Sequence, residues 1–214
     1  MHGLPQQSEA QALEDLAQAI ELKPSHLSWY ELTIEPNTAF YSKPPQQPDL
    51  DMMADTEEAG FALLAEHGYE RYEVSAFAQS NRRCRHNLNY WQFGDYLGIG
   101  AGAHGKLTAP DGRIQRYQKT RLPEHYLANP QSERTRQQHW LSADELPMEY
   151  FLNTLRLIEG APTSLFSERT GLPLAHIEKT LETLRSKHLL SPDCSYIGCT
   201  PLGLRHLNAI LENF

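Results

Sequence analysis

Apolar positions follow two different periods along this chain. Leu13, Leu16, Ala17 and Ile20 recur at helical spacing, behind a Ser8/Gln11 pair with the form of a capping box and ahead of Pro24, which ends the pattern. In residues 26–34, HLSWYELTI, two sets of positions alternate and predict a strand of mixed faces. The opening MHGLPQQ has the character of a strand end and its turn. Turn, helix and strand make most of a parallel crossover, and its first strand is missing. The chain is therefore expected to be the back part of something larger. Residues 35–50 hold four prolines in sixteen positions and predict a surface loop or lid. A second helix is predicted from Asp49 to His67 on Met52, Met53, Ala59, Leu63 and Leu64, with Gly60 inside it and Gly68 as its stop. YERYEVSAFA, 69–78, and YLGIGAG, 96–102, predict two further strands. This front portion has an α/β pattern, in which ligands gather beyond the carboxyl ends of the strands.

The pattern changes at Ala143. A helix, a short helix, a longer helix carrying Leu174, Ile177, Leu181 and Leu184, a small β-like hairpin and a last helix follow in order, as in a winged-helix-like module. Such modules either pack against protein or bind DNA. Residues 144–214 carry six Lys/Arg against nine Asp/Glu, and phosphate neutralisation dominates DNA affinity, so protein contact is expected and no nucleic-acid partner. The intervening 106–142 is polar, rich in Gln and Arg, and predicts a connector lying against the first domain.

Whole-chain charge and cysteine use narrow the picture further. The net charge of −8 over 214 residues opposes a general nucleic-acid binder. Three scattered cysteines, Cys84, Cys194 and Cys199, suggest a reducing compartment without a disulfide framework. No apolar run of about 18 residues is present, and the N-terminal residues lack the form of a signal peptide. A cytoplasmic location is expected.

Two stretches carry candidate chemistry. GAGAHG, 100–105, satisfies G-x-G-x-x-G, but KLTAPDGRIQRY after it has no helical period, so no helix N-terminus is available for a pyrophosphate and a dinucleotide site is rejected. Gly98, Gly100, Ala101, Gly102 and Ala103 would let the backbone approach either a ligand or a packed neighbour. The ten histidines include no His-x-x-His or His-x-x-x-His pair. His86 stands out through its surroundings, NRRCRHNLNYW, 81–91. Arg82, Arg83 and Arg85 form a solvated loop tip or pair with ligand carboxylates. Tyr90 and Trp91 cover an apolar ring or anchor a core, and Asn87 holds a turn. A neutral imidazole at His86 can bind iron axially, with Cys84 as a second candidate ligand. Anionic edge, apolar face and central metal together describe haem or a related tetrapyrrole.

HLSWYELTIEPNT, YERYEVSAFA, CRHNLNYW and DYLGIGAGAHG, in this order, resemble the C-terminal half of the oxygen-independent coproporphyrinogen III oxidase-like family of radical S-adenosylmethionine proteins. The H-N-x-x-Y-W motif, His86, Asn87, Tyr90 and Trp91, resembles the family's haem-chaperone branch. The resemblance covers essentially all 214 residues; Asn37 and Gln6 stand where glycine is usual. It implies an α/β fold: over 1–105 the last part of a partial (β/α)6 barrel, over 106–142 a connector, and over 143–214 a winged-helix-like helical domain. It also implies a haem-binding chaperone that hands haem to haemoprotein acceptors, some at the membrane, with oxygen-independent coproporphyrinogen III oxidation as the alternative. His86 would be the metal ligand, with Asn87, Tyr90, Trp91 and Arg85 around the haem. Thr33 and His104 would be outer contacts to S-adenosylmethionine. The family's C-x-x-x-C-x-x-C triplet for a [4Fe–4S] cluster is absent from this chain, as is its glycine-rich S-adenosylmethionine segment. This chain alone is therefore not expected to generate a radical, and it is expected to bind S-adenosylmethionine poorly. The oligomeric state is left open.

Overall fold

The computed structural model describes residues 1–130 and 134–214, in two compact units, Met1–Cys84 and Arg85–Phe214.

In the first unit Ser8 caps helix α1 (Glu9–Glu21): its hydroxyl accepts from Gln11 N at 3.3 Å and its own N–H donates to Gln11 Oε1 at 2.9 Å. Ala12, Leu16 and Ile20 form the buried face of α1. They pack with helix α3 (Leu50–Glu66), which follows the one-turn helix α2 (Ala39–Ser42) and is capped by Asp49. The buried stripe of α3 is Thr56, Gly60 and Leu64. Gly60, a weakness in the sequence pattern, has a steric reason: a Cβ there would stand 2.1 Å from Trp29 Cη2. Gly60→Ala is accordingly expected to destabilise the first unit by about 1–3 kcal/mol through overpacking, although alanine is the better helix former by about 1 kcal/mol. Urea titration of the variant checks this; a midpoint at or above the wild type would contradict it.

His2 and Glu31 make a parallel bridge on either side of α1, with His2 N donating to Tyr30 O and Leu32 N to His2 O, both at 2.9 Å. The strand expected over 26–34 is reduced to a short strand at His26–Ser28 and this bridge at Glu31. The strand expected over 69–78 is instead a hairpin of β2 (Glu70–Glu73) and β3 (Ala76–Ala78), and β3 also pairs antiparallel with β1 (His26–Ser28). Arg71 fastens the turn, donating from Nη2 to Val74 O at 2.5 Å and from Nε to Glu73 O at 3.3 Å.

The second unit opens with helix α4 (Arg85–Trp91), where a loop tip was one expectation. The strand expected over 96–102 shrinks to a single bridge between Tyr96 and Lys106. Gly100 and Gly102, at φ 107° and 72°, turn the chain out of extended conformation. Across 106–142, expected as a connector, and starting two residues before it, strands β4 (His104–Thr108), β5 (Ile114–Lys119) and β6 (Thr135–Trp140) form an antiparallel meander, with helix α5 (Pro123–Ala128) between the last two. Residues 131–133 of that stretch lie outside the described residues.

The tail contains α6 (Leu146–Thr154), β7 (Ala161–Pro162), α7 (Ser164–Thr170), a 3-10 turn (Leu174–His176), α8 (Glu178–Ser186), β8 (Tyr196–Ile197), α9 (Pro201–Arg205) and α10 (Leu207–Leu211); β7 pairs with β8. Leu181 and Leu184 are its buried α8 positions, as the spacing predicts. Its core also takes in Phe93 and Ile114, which ties the tail to the end of α4 and to the meander.

Candidate functional site

In α4, His86 and Tyr90 are one turn apart, as are Asn87 and Trp91, so the motif's four residues share one side of the helix. The chain then turns sharply. Phe93 has a φ of 56°, Gly94 N donates to Asn89 O at 2.7 Å, and a Cβ at Gly94 would collide with Asn89. Phe93 is thereby sent into the core while Asn89 Nδ2 closes the turn on Asp95 O at 2.9 Å.

A buried lysine pins this turn to the sheet. Lys106 of β4 is 1% exposed; its Nζ donates to Asp95 Oδ1 at 2.9 Å and to Phe93 O at 3.0 Å, above the Phe93 ring. Burial lowers the Lys106 pKa, opposed by the Asp95 partner. Desolvation alone would raise the Asp95 carboxyl, but hydrogen bonds from Lys106 and Thr108 hold it below the usual range. The ion pair is structural, and it fixes where α4 presents its aromatic residues.

Those aromatic residues form one wall of a cleft of about 560 Å³, within the usual size of ligand sites. Tyr90 packs edge-on against Trp91, ring centroids 4.8 Å apart, and tilted against Tyr96 at 5.0 Å. Arg116 of β5 donates from Nη1 to the Tyr96 hydroxyl at 2.7 Å, and from Nε and Nη2 to Glu149 Oε2 of α6 at 2.9 and 2.6 Å. Burial pushes the Tyr96 phenol up to about 12 against the pull of Arg116, so at neutral pH it is a protonated hydrogen-bonding group. Arg156, just past α6, lies over Trp91 at 5.4 Å from the ring centroid. The Trp91 indole N–H is buried and has no hydrogen-bond acceptor among the described residues.

The expected site residues are distributed as follows. Tyr90, Trp91 and His104 line the cleft; His86, Asn87 and Arg85 do not. His86 and Arg85 are exposed on α4, and Asn87 is partly covered. Arg82 and Arg83 belong to the first unit, where Arg83 faces the Tyr72 ring. Thr33 is also in the first unit, exposed, its hydroxyl donating to Glu35 at 3.2 Å. Of the two readings of the glycine stretch, close packing holds at Gly98: a Cβ there would lie 2.3 Å from His104 O. Tyr96, Arg116, Glu149 and Arg156 are cleft residues that the sequence did not single out. One signal for them exists: Glu149, Asn153 and Arg156 are polar positions at i, i+4 and i+7 in a largely apolar stretch of sequence.

The cysteines are all free, Cys199 being buried with its thiol pushed up to about 12 by burial. Among the described residues no group of three or more His, Cys, Asp or Glu side chains is arranged to hold a metal, so they do not fit an iron–sulfur cluster. Also among the described residues, no helix is long and apolar enough to cross a membrane.

Comparison with known proteins gives a consistent setting. Residues 141–206 match the HemN C-terminal domain. Over all 214 residues the chain is 49% identical to the heme chaperone HemW of Escherichia coli, covering 56% of it, and 44% identical to that of Haemophilus influenzae, covering 55%. A mitochondrial radical S-adenosyl methionine domain-containing protein 1 of Bos taurus is 30% identical over 225 residues, with 99% of this chain and 51% of the relative covered. The chain thus spans about half the length of the curated relatives it matches. Among solved structures, the radical SAM enzyme coproporphyrinogen III oxidase (HemN) of Escherichia coli matches with a TM-score of 0.70 at 18% identity, covering 98% of this chain and 53% of that one.

Proposed function

We propose that this chain, which belongs to the coproporphyrinogen III oxidase-like family in its heme-chaperone branch, is the haem-holding portion of a chaperone that passes haem to haemoprotein acceptors. The observation that carries the reading is α4. It holds an exposed imidazole at His86 one turn from Tyr90, and Tyr90 and Trp91 are braced edge-to-face at 4.8 Å beside two guanidinium groups. Among the described residues nothing ties up the His86 ring. An imidazole free to ligate, aromatic surface for an apolar macrocycle and cations for its carboxylates are the donor set that haem requires. Bound there, haem would bring the iron that His86 ligates. Asn87, Tyr90 and Trp91 would shape the contact, and Arg85 would meet an exposed propionate.

The remaining assignments belong to the same reading. Residues 1–105 are the last part of a partial (β/α)6 barrel, supported by the parallel bridge around α1 and by the likeness to the HemN enzyme; residues 143–214 are winged-helix-like, supported by their order of helices and the β7–β8 pair. Thr33 and His104 are outer contacts to S-adenosylmethionine in the whole protein, where a [4Fe–4S] cluster would have its ligands elsewhere. The three free cysteines favour a reducing compartment, the cytoplasm.

Haem titration of the full chain tests the central assignment. His86→Ala is expected to lose the Soret signature of axial ligation and to weaken haem binding at least tenfold. His125→Ala, on α5 and outside the motif, is the control and should bind as the wild type does. Unchanged spectrum and affinity in His86→Ala would make His86 structural.

A further inference from the structure

We infer that the cleft behind α4 is a carboxylate-accepting subsite for a planar apolar ligand, with Arg156 as the anion partner and Tyr90 and Trp91 as the ring contact. The inference rests on the haem reading and extends it to a residue that the motif does not contain.

Two cations line this cleft, and their circumstances differ. Arg116 is already paired: each of its three nitrogens makes a hydrogen bond, two to Glu149 and one to the Tyr96 hydroxyl. An added carboxylate would have to compete with Glu149 at 2.6 Å. Arg156 makes one hydrogen bond, from Nε to Leu152 O at 3.1 Å, and among the described residues it has no carboxylate partner. Both of its terminal nitrogens are therefore available, and a guanidinium with two parallel free donors matches a carboxylate bidentately. Its guanidinium carbon lies 5.4 Å from the centroid of the Trp91 ring, beside the aromatic surface offered to the ligand. The cleft's ionised side chains are Arg116, Arg156 and Glu149, leaving one positive charge once the inner pair is counted.

The neighbouring surfaces suit the rest of such a ligand. Leu152 adds an apolar edge beside the rings of Tyr90 and Trp91. His86 lies one turn away from Tyr90 on the same side of α4, outside the cleft. A ligand whose flat centre rests by His86 can thus send a carboxylated edge into the cleft. Exposed arginines at the start of α4 are not needed for that edge.

The test separates this subsite from axial ligation. The full chain is titrated with hemin, with hemin dimethyl ester, in which both carboxylates are blocked, and with metal-free protoporphyrin IX, which cannot be ligated axially. Arg156→Gln is expected to weaken hemin and protoporphyrin IX about tenfold and to leave the dimethyl ester unchanged, with partial recovery in Arg156→Lys. His86→Ala is expected to weaken hemin and its ester but not protoporphyrin IX. If His86→Ala has no effect while the Arg156 pattern holds, the axial assignment fails and the subsite stands. Equal losses for hemin and its ester in Arg156→Gln, no loss for either, or no binding of protoporphyrin IX by the wild type would overturn the subsite.

Discussion

Phe151→Ala is expected to cost about 3–5 kcal/mol, the usual range for emptying a buried aromatic site. Phe151 is fully buried in α6, edge-on to Tyr150 at 5.1 Å, stacked near Phe166 at 6.0 Å and against Phe214 at 4.0 Å. Tyr150 and Phe166 are themselves packed edge-on at 5.3 Å, so neither ring can fill the vacated volume without leaving that contact. The same helix turns Glu149 and Asn153 towards the cleft, so core and site share one rigid element. Denaturant unfolding of the variant measures the loss, and the midpoint should fall at an unchanged slope. Haem affinity measured well below the midpoint should change less than stability, because the cleft side of α6 is intact. A stability loss below about 1 kcal/mol would mean that this core re-forms around the gap, and that Phe151 does not support the cleft.

What the sequence disclosed follows from the range of the interactions involved. Local signals read well: the Ser8/Gln11 box set the start of α1, and Asp49 and His67 bound α3 in the structure as in the pattern. The H-N-x-x-Y-W spacing marked the residues of α4, although the helix itself, seven residues with three arginines close before or within it, did not stand out. Non-local pairing was hidden. The meander of β4, β5 and β6 is built from polar, half-exposed strands such as IQRYQK and TRQQHW, whose stabilisation comes from cross-strand pairing, and no run of apolar alternation announces them. YLGIGAG had strand-like residues, but its glycines serve turns and close packing, and only Tyr96 keeps a ladder contact. The cleft was concealed for the same reason: Tyr90, Arg116 and Arg156 are far apart in sequence and meet only through the Phe93 and Ile114 core. His86 was visible because its chemistry sits within one turn of helix; Arg156 was not, because its meaning depends on Trp91, 65 positions earlier by its number.

Acidification should destabilise the first unit through His2. This imidazole is 2% exposed, its centroid is 4.1 Å from that of Trp29, and its Nδ1 has no hydrogen-bond partner among the described residues. Desolvation by burial is the largest cause that lowers its pKa from 6.5 to about 4. The folded pKa is depressed, so between pH 6.5 and 4 the unfolded chain binds the proton that the folded chain refuses. Stability then falls as pH drops through this window and levels off below it. At about 1.4 kcal/mol per pKa unit the full loss is on the order of 3 kcal/mol. His26 is also lowered by burial and acts in the same direction, whereas burial raises the Glu57 carboxyl and acts in the opposite one. Comparing urea midpoints of the wild type and His2→Phe at pH 7 and pH 4.5 removes both of those contributions by difference. The wild type is expected to lose more stability than the variant by roughly 2–3 kcal/mol. Equal losses would show that the His2 ring finds water or a partner when it is charged, and that the parallel bridge it anchors does not depend on a neutral imidazole.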